Sequence, residues 1–284
     1  MPDVASRSAT RQAAERFVAR PGGVIGVGVL LVIVLGAVAA PALAPHDPLV
    51  QFAGSEFDPP GGQFPLGTDQ LGRDLLSRIV FGARSSLIVG ILAVLLGAGV
   101  GGASGLAAGY TGGWLDAMVM RLWDAVFAVP AILTGIALAA AFGAGATNAA
   151  IAIGIATMPT FARLMRGAVI QERVRDYVEA ARALGATDLR IVVRHIVPNS
   201  LGPFVVQIAL AMGAATLLEA GLSFLGLGTQ PPQPAWGDML AESRLYLRQA
   251  PWYAVFPGIA LTSLVVSLNF CADALRDALD PRSA

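Results

Sequence analysis

Long uncharged runs divide this chain into elements. Residues 21–45 carry no charged side chain, and 85–115, 125–162, 195–218 and 249–272 form four more such runs. A helix that crosses a bilayer needs about 20 apolar residues, so each run can supply a span. The run 125–162 holds 38 residues, too many for one helix. It is interrupted by Gly143-Ala144-Gly145 and by Thr147-Asn148, which predicts two helices joined by a tight turn. Six transmembrane helices are expected. The first run has the layout of a signal peptide, with Arg7, Arg11, Arg16 and Arg20 ahead of it and small residues at 37–39 and 42–44. Its apolar stretch exceeds the roughly 7–15 residues of a signal core, and Pro41 and Pro45 sit poorly beside a cleavage site. An uncleaved helix is the expectation.

Arginine positions orient the spans, because cytoplasmic loops carry the basic excess. With the N-terminus inside, fourteen of the nineteen Arg lie on the inner side and five on the outer. The opposite orientation inverts that ratio. The expected organisation is an all-α integral membrane protein with both termini cytoplasmic. It comprises a tail at 1–20, a first span at 21–45 and an extracytoplasmic segment at 46–83. A five-helix core follows at 84–279, with a cytoplasmic loop at 171–199, and a short tail closes the chain at 280–284.

Gly97, Gly101, Gly105 and Gly109 recur every fourth residue in the second span. Lipid gives helices no hydrophobic reason to associate, so small residues that let backbones approach do that work. This face packs either within the chain or on a partner subunit. Outside the membrane, Pro59-Pro60-Gly61-Gly62 predicts irregular chain. Thr68 or Asp69 can then cap a helix with Leu71, Leu75, Ile79 and Ala83 on one face. Arg73, Asp74 and Arg78 look elsewhere, giving an amphipathic helix suited to the membrane interface.

The inner loop holds seven Arg between 163 and 194. Tyr177, Ala180, Ala181 and Leu184 form an apolar helix face, with Arg175 and Glu179 as an i,i+4 pair. Gly185 stops that helix. Thr187 or Asp188 starts the next, and Pro198 ends or kinks it. A short exposed helix with a small apolar face suits a groove on another protein. A solvated basic loop is the plainer alternative.

Composition narrows the function classes. Hydrophobic types make up 55% of the 284 residues and charged types 13%. Mean hydropathy is +0.67. Too few charges remain to coat a soluble domain, and the apolar content excludes intrinsic disorder. Net charge is zero, so there is no case for nucleic acid. None of the nineteen basic residues is Lys. A P-loop needs Lys to reach the phosphates, so ATP hydrolysis, if it drives this protein, belongs to another chain. His46 and His195 are expected on opposite sides of the membrane, and Cys271 is the single Cys. No metal site, bound cofactor or enzyme active site is expected.

Ionisable residues within spans are functional candidates. Glu219 is the foremost, near the outer part of span five, with Asn199 and Gln207 on the same helix. It either contacts a pathway or makes a structural hydrogen bond. Asp124 and Arg121 are expected to pair near the inner end of span three.

Glu179-Ala180-Ala181, with Gly185 six residues after the Glu and then Ile196 and Pro198, resembles the EAA loop of ATP-binding-cassette (ABC) importer permeases. The segments from Pro65 through Arg73-Asp74 to Leu87, from Phe224 to Gly228, and Pro234-Ala235-Trp236-Gly237-Asp238 are similar to the C-type permease of the dipeptide, oligopeptide and nickel branch. The likeness covers about residues 20–282. It implies the six-helix type I importer permease (MetI-like) fold in a bacterial inner membrane. It implies a non-catalytic subunit that forms half of the pathway of an ATP-driven peptide importer, with nickel or glutathione import as alternatives within the branch. The implied partners are a homologous B-type permease, two ATPase subunits holding ATP and Mg, an extracytoplasmic substrate-binding protein and membrane lipid. Coupling to the ATPase would fall on Glu179, Ala180, Ala181, Leu184, Gly185 and Asp188. The rival classes are a proton-coupled secondary carrier that uses Glu219, and a membrane anchor with no pathway.

Overall fold

The structure is a computed structural model that describes residues 15–279. The regular elements among them are helices, with isolated bridges at Gly61–Phe64 and Thr68–Asp74. α1 spans Pro21–Val38, with Pro21 at its first turn, where a missing N–H costs nothing. α2 (Leu75–Leu96) passes through a wide π turn at Gly97–Gly101 into α3 (Gly102–Thr111). α4 (Gly113–Phe127) and α5 (Ala131–Phe142) meet at an 84° bend just before Pro130 closes the break. α6 covers Ala146–Arg173. α7 (Asp176–Ala183) and α8 (Asp188–Ile191) follow, and a second π turn at Val192–Ile196 leads into α9 (Val197–Phe224). α10 is Trp236–Ser243 and α11 Trp252–Leu279.

Four continuous stretches are long and apolar enough to cross a membrane: α1, α2–α3, α8–α9 and α11. The bent pair α4–α5 makes a fifth if it counts as one span. The expectation of six is met only that far. α6 is 28 residues long but falls outside that set, with Asn148, three Thr, Pro159 and Arg163 lowering the hydropathy of its first two-thirds. The predicted turn at Gly143–Gly145 is present, both glycines lying at positive φ between α5 and α6.

Three boundaries differ from the sequence reading. No separate interfacial helix begins at Thr68 or Asp69. The helix starts at Leu75, where the Asp74 side chain accepts from Ser77 N at 3.1 Å, and runs unbroken into the span. The first span ends at Val38, with a further turn at Ala40–Leu43. Pro198 does not end its helix. The π turn precedes it, and the residue without an N–H falls in the first turn of α9.

Packing centres on α6 and α9. α3 and the π turn before it lie closely along α6. A Cβ on Gly97, Gly101, Gly105 or Gly109 would sit 2.1, 2.4, 2.2 or 2.9 Å from Thr157 Oγ1, Met158 O, Ala162 O or Arg166 O. The stripe therefore packs within this chain. α9 touches α2, α6 and α11, and α1 lies on α11. Gly26 of α1 faces the backbone of Ser267, whose carbonyl a Cβ would meet at 2.8 Å.

Candidate functional site: the elbow and the buried cap

Two regions gather polar side chains at opposite ends of the fold. The first is the elbow α7–Gly185–α8. Val178, Ile191 and Ile196 are fully buried and pack with Met165 and Val169 of α6, so the elbow rests on a dry base. Gly185 at φ +81° makes the turn that a residue with a Cβ would strain. Thr187 caps α8 through Arg190 N at 3.4 Å. Of the expected coupling residues, Glu179, Ala180, Leu184, Gly185 and Asp188 are exposed and Ala181 is half-buried. Ala181 and Val178 face inward, while Leu184 points outward at 88% exposure and Leu189 at 74%. The expected common face of Tyr177, Ala180, Ala181 and Leu184 is therefore split. Arg175 reaches Glu172 at 3.9 Å and makes no pair with Glu179 among the described residues.

Side chains tie the elbow to the spans. Tyr110 OH at the end of α3 donates to Asp188 Oδ1. Tyr177 OH donates to Glu172 and accepts from Asn199 Nδ2 at 3.2 Å. Burial, and then the Glu172 carboxylate, push the Tyr177 hydroxyl pKa up. Asn199 also donates to His195 O at 2.7 Å. It belongs to the elbow rather than to Glu219, 20 residues further along α9 and about 30 Å away at the α-helical rise. On α6, Arg166 holds Asp116 of α4 through two bonds at 2.5 and 2.7 Å. Arg163 holds Asp124 at 2.8 Å, so the expected Arg121–Asp124 pair gives way to a bond between helices. These pairs engage two of the charges on α6, Arg163 and Arg166.

Glu219 is fully buried at the α2–α9 contact. It accepts from Ser86 Oγ at 3.1 Å and Ser223 Oγ at 2.8 Å. Ser223 Oγ in turn accepts from Thr229 N at 3.2 Å, tying the loop after α9 to the same carboxylate. Both oxygens are occupied, as a structural hydrogen bond requires. Gln207 lies apart from it, lining a groove with Arg276.

The second region is one that sequence reasoning missed. Arg73, Asp74 and Arg78 do not face the membrane interface; they are buried, Arg78 at 1% exposure. Asp69 Oδ1 accepts from the N–H groups of Leu71 and Arg73, each at 2.9 Å, and Oδ2 from Arg73 Nε at 2.6 Å. Arg78 Nε stands 3.3 Å from the same oxygen. Arg73 Nη2 reaches Glu242 of α10 at 3.5 Å, and Glu242 also accepts from Tyr253 OH of α11. His46 Nδ1 lies 3.5 Å from Asp74. Trp236 Nε1 donates to Ile79 O at 2.9 Å. The cap thus binds the segment before α2, α2 itself, α10 and α11 together. Asp238, one turn before Glu242, has its pKa raised to about 6 by burial and by the Glu242 charge. The i,i+4 spacing of Asp69 and Arg73 was a usable signal. Nothing local marked Glu242, which is 169 residues from Arg73.

The model of the binding-protein-dependent transport system inner membrane component matches residues 99–284. The chain belongs to that family. A second model, the N-terminal transmembrane domain of oligopeptide transport permease C, matches residues 8–60. The permease is 42% identical over 287 residues to the di/tripeptide transport system permease protein DppC of Pseudomonas aeruginosa, covering 99% of this chain and 95% of the relative. It is 41% identical over 272 residues to the dipeptide permease DppC of Alkalihalophilus pseudofirmus, covering 96% and 90%. It is 42% identical over 282 residues to the glutathione permease GsiD of Pectobacterium atrosepticum, covering 99% and 93%. A chain of the MetNI methionine ABC transporter in an inward-facing form superposes with a TM-score of 0.60 at 18% identity, covering 72% of this chain and 96% of that one. That likeness shows the fold, all-helical and MetI-like. The permease is a non-catalytic transport subunit of an ABC importer, and the reading as a lone proton-coupled carrier falls with that membership.

Proposed function

We propose that this permease imports short peptides across a bacterial inner membrane as one half of a two-permease pathway. The other half is a homologous B-type permease. Two ATPase subunits below hydrolyse ATP with Mg, and a substrate-binding protein above delivers the peptide. The peptide substrate is supported by the relatives' names; glutathione, a tripeptide, is the second reading because one relative at equal identity carries it. Both termini are cytoplasmic and the spans number six, with α6 as the polar one. The arginine bias supports this topology.

The observation that carries the mechanism is the elbow. Glu179, Ala180, Leu184 and Gly185 are presented to solvent over the buried base of Val178, Ile191 and Ile196. An ATPase groove can grip the exposed side, while the base transmits its motion to α6 and α9 as near-rigid bodies. Reconstitution tests this reading. The permease, its B-type partner, the ATPases and the binding protein in proteoliposomes should accumulate a labelled dipeptide only with ATP inside the ATPase-bearing compartment. Uptake by the permease alone, driven by a proton gradient, would sink it. Competition by glutathione against the dipeptide decides between the two substrates.

A further inference from the structure

At the elbow end of the fold, α6, α9 and α11 leave a groove of about 460 Å³. This is within the range of small-ligand sites, about 300–1,000 Å³. Leu164 of α6 and Pro203, Val206 and Leu210 of α9 form its apolar wall, with Gln207 and Arg276 as its polar groups. Arg276 is exposed and makes no ion pair or hydrogen bond among the described residues. Its neighbour Asp277 is already held by Arg20 of the N-terminal segment at 2.8 Å. Among the described residues, the lip of the groove is therefore an unpaired cation above an apolar wall.

Depth adds a second constraint. Counted from the outer ends of their helices, Arg276 lies about 36 Å in and Leu210 about 21 Å in, at 1.5 Å per residue. The hydrocarbon of a bilayer is about 30 Å thick. Arg276 thus stands at the level of the inner headgroups and Leu210 within the hydrocarbon. A ligand that fits has an anion at one end and a chain of methylenes about 15 Å long behind it. Basic pockets between spans on the cytoplasmic side suit acidic lipid headgroups.

We propose that this groove holds one anionic phospholipid of the inner leaflet. Its phosphate sits on the Arg276 guanidinium, its ester region beside the Gln207 amide, and an acyl chain along Val206, Leu210 and Leu164. The inference rests on the cytoplasmic placement of the elbow end given above. A bound lipid would bridge α9, which carries the elbow's motion, to α11, so the acidic lipid content of the membrane becomes a variable in coupling.

The test uses the intact importer in nanodiscs of phosphatidylglycerol or phosphatidylcholine, with native mass spectrometry counting retained lipid. One phosphatidylglycerol per permease should be retained over phosphatidylcholine. Arg276→Gln should weaken that retention about fivefold, equivalent to about 1 kcal/mol for one basic residue at an acidic headgroup. Arg276→Lys should keep it, and Leu210→Trp, which fills the wall, should lower retention of both lipids. Equal retention in Arg276→Gln and the parent, with the complex intact, overturns the proposal. So does a photo-crosslinker at Gln207 that captures the partner permease instead of lipid. Orientation is read separately, by impermeant maleimide on spheroplasts carrying Arg276→Cys in a Cys271→Ser background. Protection supports the inner-leaflet site. Labelling from outside overturns the topology, and the inner-leaflet assignment with it.

Discussion

Gly105 is a position where a single methyl group should do measurable damage. A Cβ there would lie 2.2 Å from the Ala162 carbonyl oxygen and 2.8 Å from two further backbone atoms of Ala162. Ordinary contact begins near 3.4 Å, so Gly105→Ala demands about 1.2 Å of movement. The Ala162 carbonyl is part of α6 and cannot move alone, so α3 and α6 must part. Parting also unloads Gly97, Gly101 and Gly109, which lie so close to the same helix that a Cβ on any of them would come within 2.1–2.9 Å of it. A gap of 0.5–1 Å forfeits about a quarter to a half of each dispersion contact. Overpacking of this kind costs about 3 kcal/mol, the upper end of the usual range. The better helix propensity of Ala returns about 1 kcal/mol.

Gly167→Ala is the matched control. It also lies within a helix, but nothing stands within 4 Å of the added Cβ. It keeps the propensity gain of about 1 kcal/mol with no clash. The two variants should therefore differ by about 3 kcal/mol. At about 2–4 °C per kcal/mol for a chain of this size, their melting temperatures in detergent should separate by roughly 6–12 °C, Gly105→Ala the lower. Tryptophan fluorescence melts of the two purified variants measure this directly. Melting of Gly105→Ala within 2 °C of Gly167→Ala would show that the stripe is not a backbone-to-backbone seam.

Three further outcomes follow from single side chains. Gly185→Ala should strain the elbow at φ +81° by about 1 kcal/mol and reduce transport-coupled ATP hydrolysis. Gly185→Asn, which tolerates that backbone, should keep most of it, and equal loss in both would refute the turn argument. Glu219→Gln preserves an acceptor for Ser86 or Ser223 and should leave peptide uptake within about threefold of the parent, whereas Glu219→Leu strands buried hydroxyls at about 1–3 kcal/mol; abolished uptake in Glu219→Gln would revive a proton-carrying role. Burial and the Glu242 charge push the Asp238 carboxyl up to about 6 in the fold, from an ordinary value of 3.8. The folded state therefore binds the extra proton between those values, and stability rises as pH falls through about 6 and levels off below about 4. Subtracting the pH–melting curve of Asp238→Asn from that of the parent should isolate this rise, and a flat difference would contradict it.

The legible parts of this fold were those written in local spacing. The uncharged runs located the apolar helices, Gly143–Gly145 located a turn, and the four-residue Gly repeat marked a seam without naming its partner. Charges deceived where their partners were remote in sequence. Arg73 and Arg78 looked like interfacial cations although Asp69, their nearest partner, is local; what spacing could not show is the burial that Glu242, remote in sequence and 3.5 Å from Arg73, helps to complete. Arg163 and Arg166 made α6 look like the inner end of a span plus loop. They satisfy Asp124 and Asp116 of α4, so the helix continues to Arg173. At the elbow, spacing proposed a common apolar face for Ala181 and Leu184. Helix geometry placed Ala181 toward the base and left Leu184 in solvent, because Val178 rather than Tyr177 fills the inner side.

One continuous helical path joins the two polar regions, and that constrains how this permease can move. From Asp188 the chain stays helical to Phe224, 37 residues and about 55 Å. Its lower end is fixed to the elbow by Asn199 bonding Tyr177. Its upper end is fixed to α2 by Glu219 and Ser86. It meets α10 where a Cβ on Gly237 would lie 2.4 Å from Ala220 O. α10 in turn is held by Trp236 to Ile79 and by Glu242 to Arg73. A displacement of the elbow cannot be absorbed by loop along this route, because no loop intervenes before the cap. The break in the fold lies elsewhere, at the 84° bend between α4 and α5. Tilting of α9 together with the cap, against a jointed α4–α5 pair, is a motion that this arrangement permits.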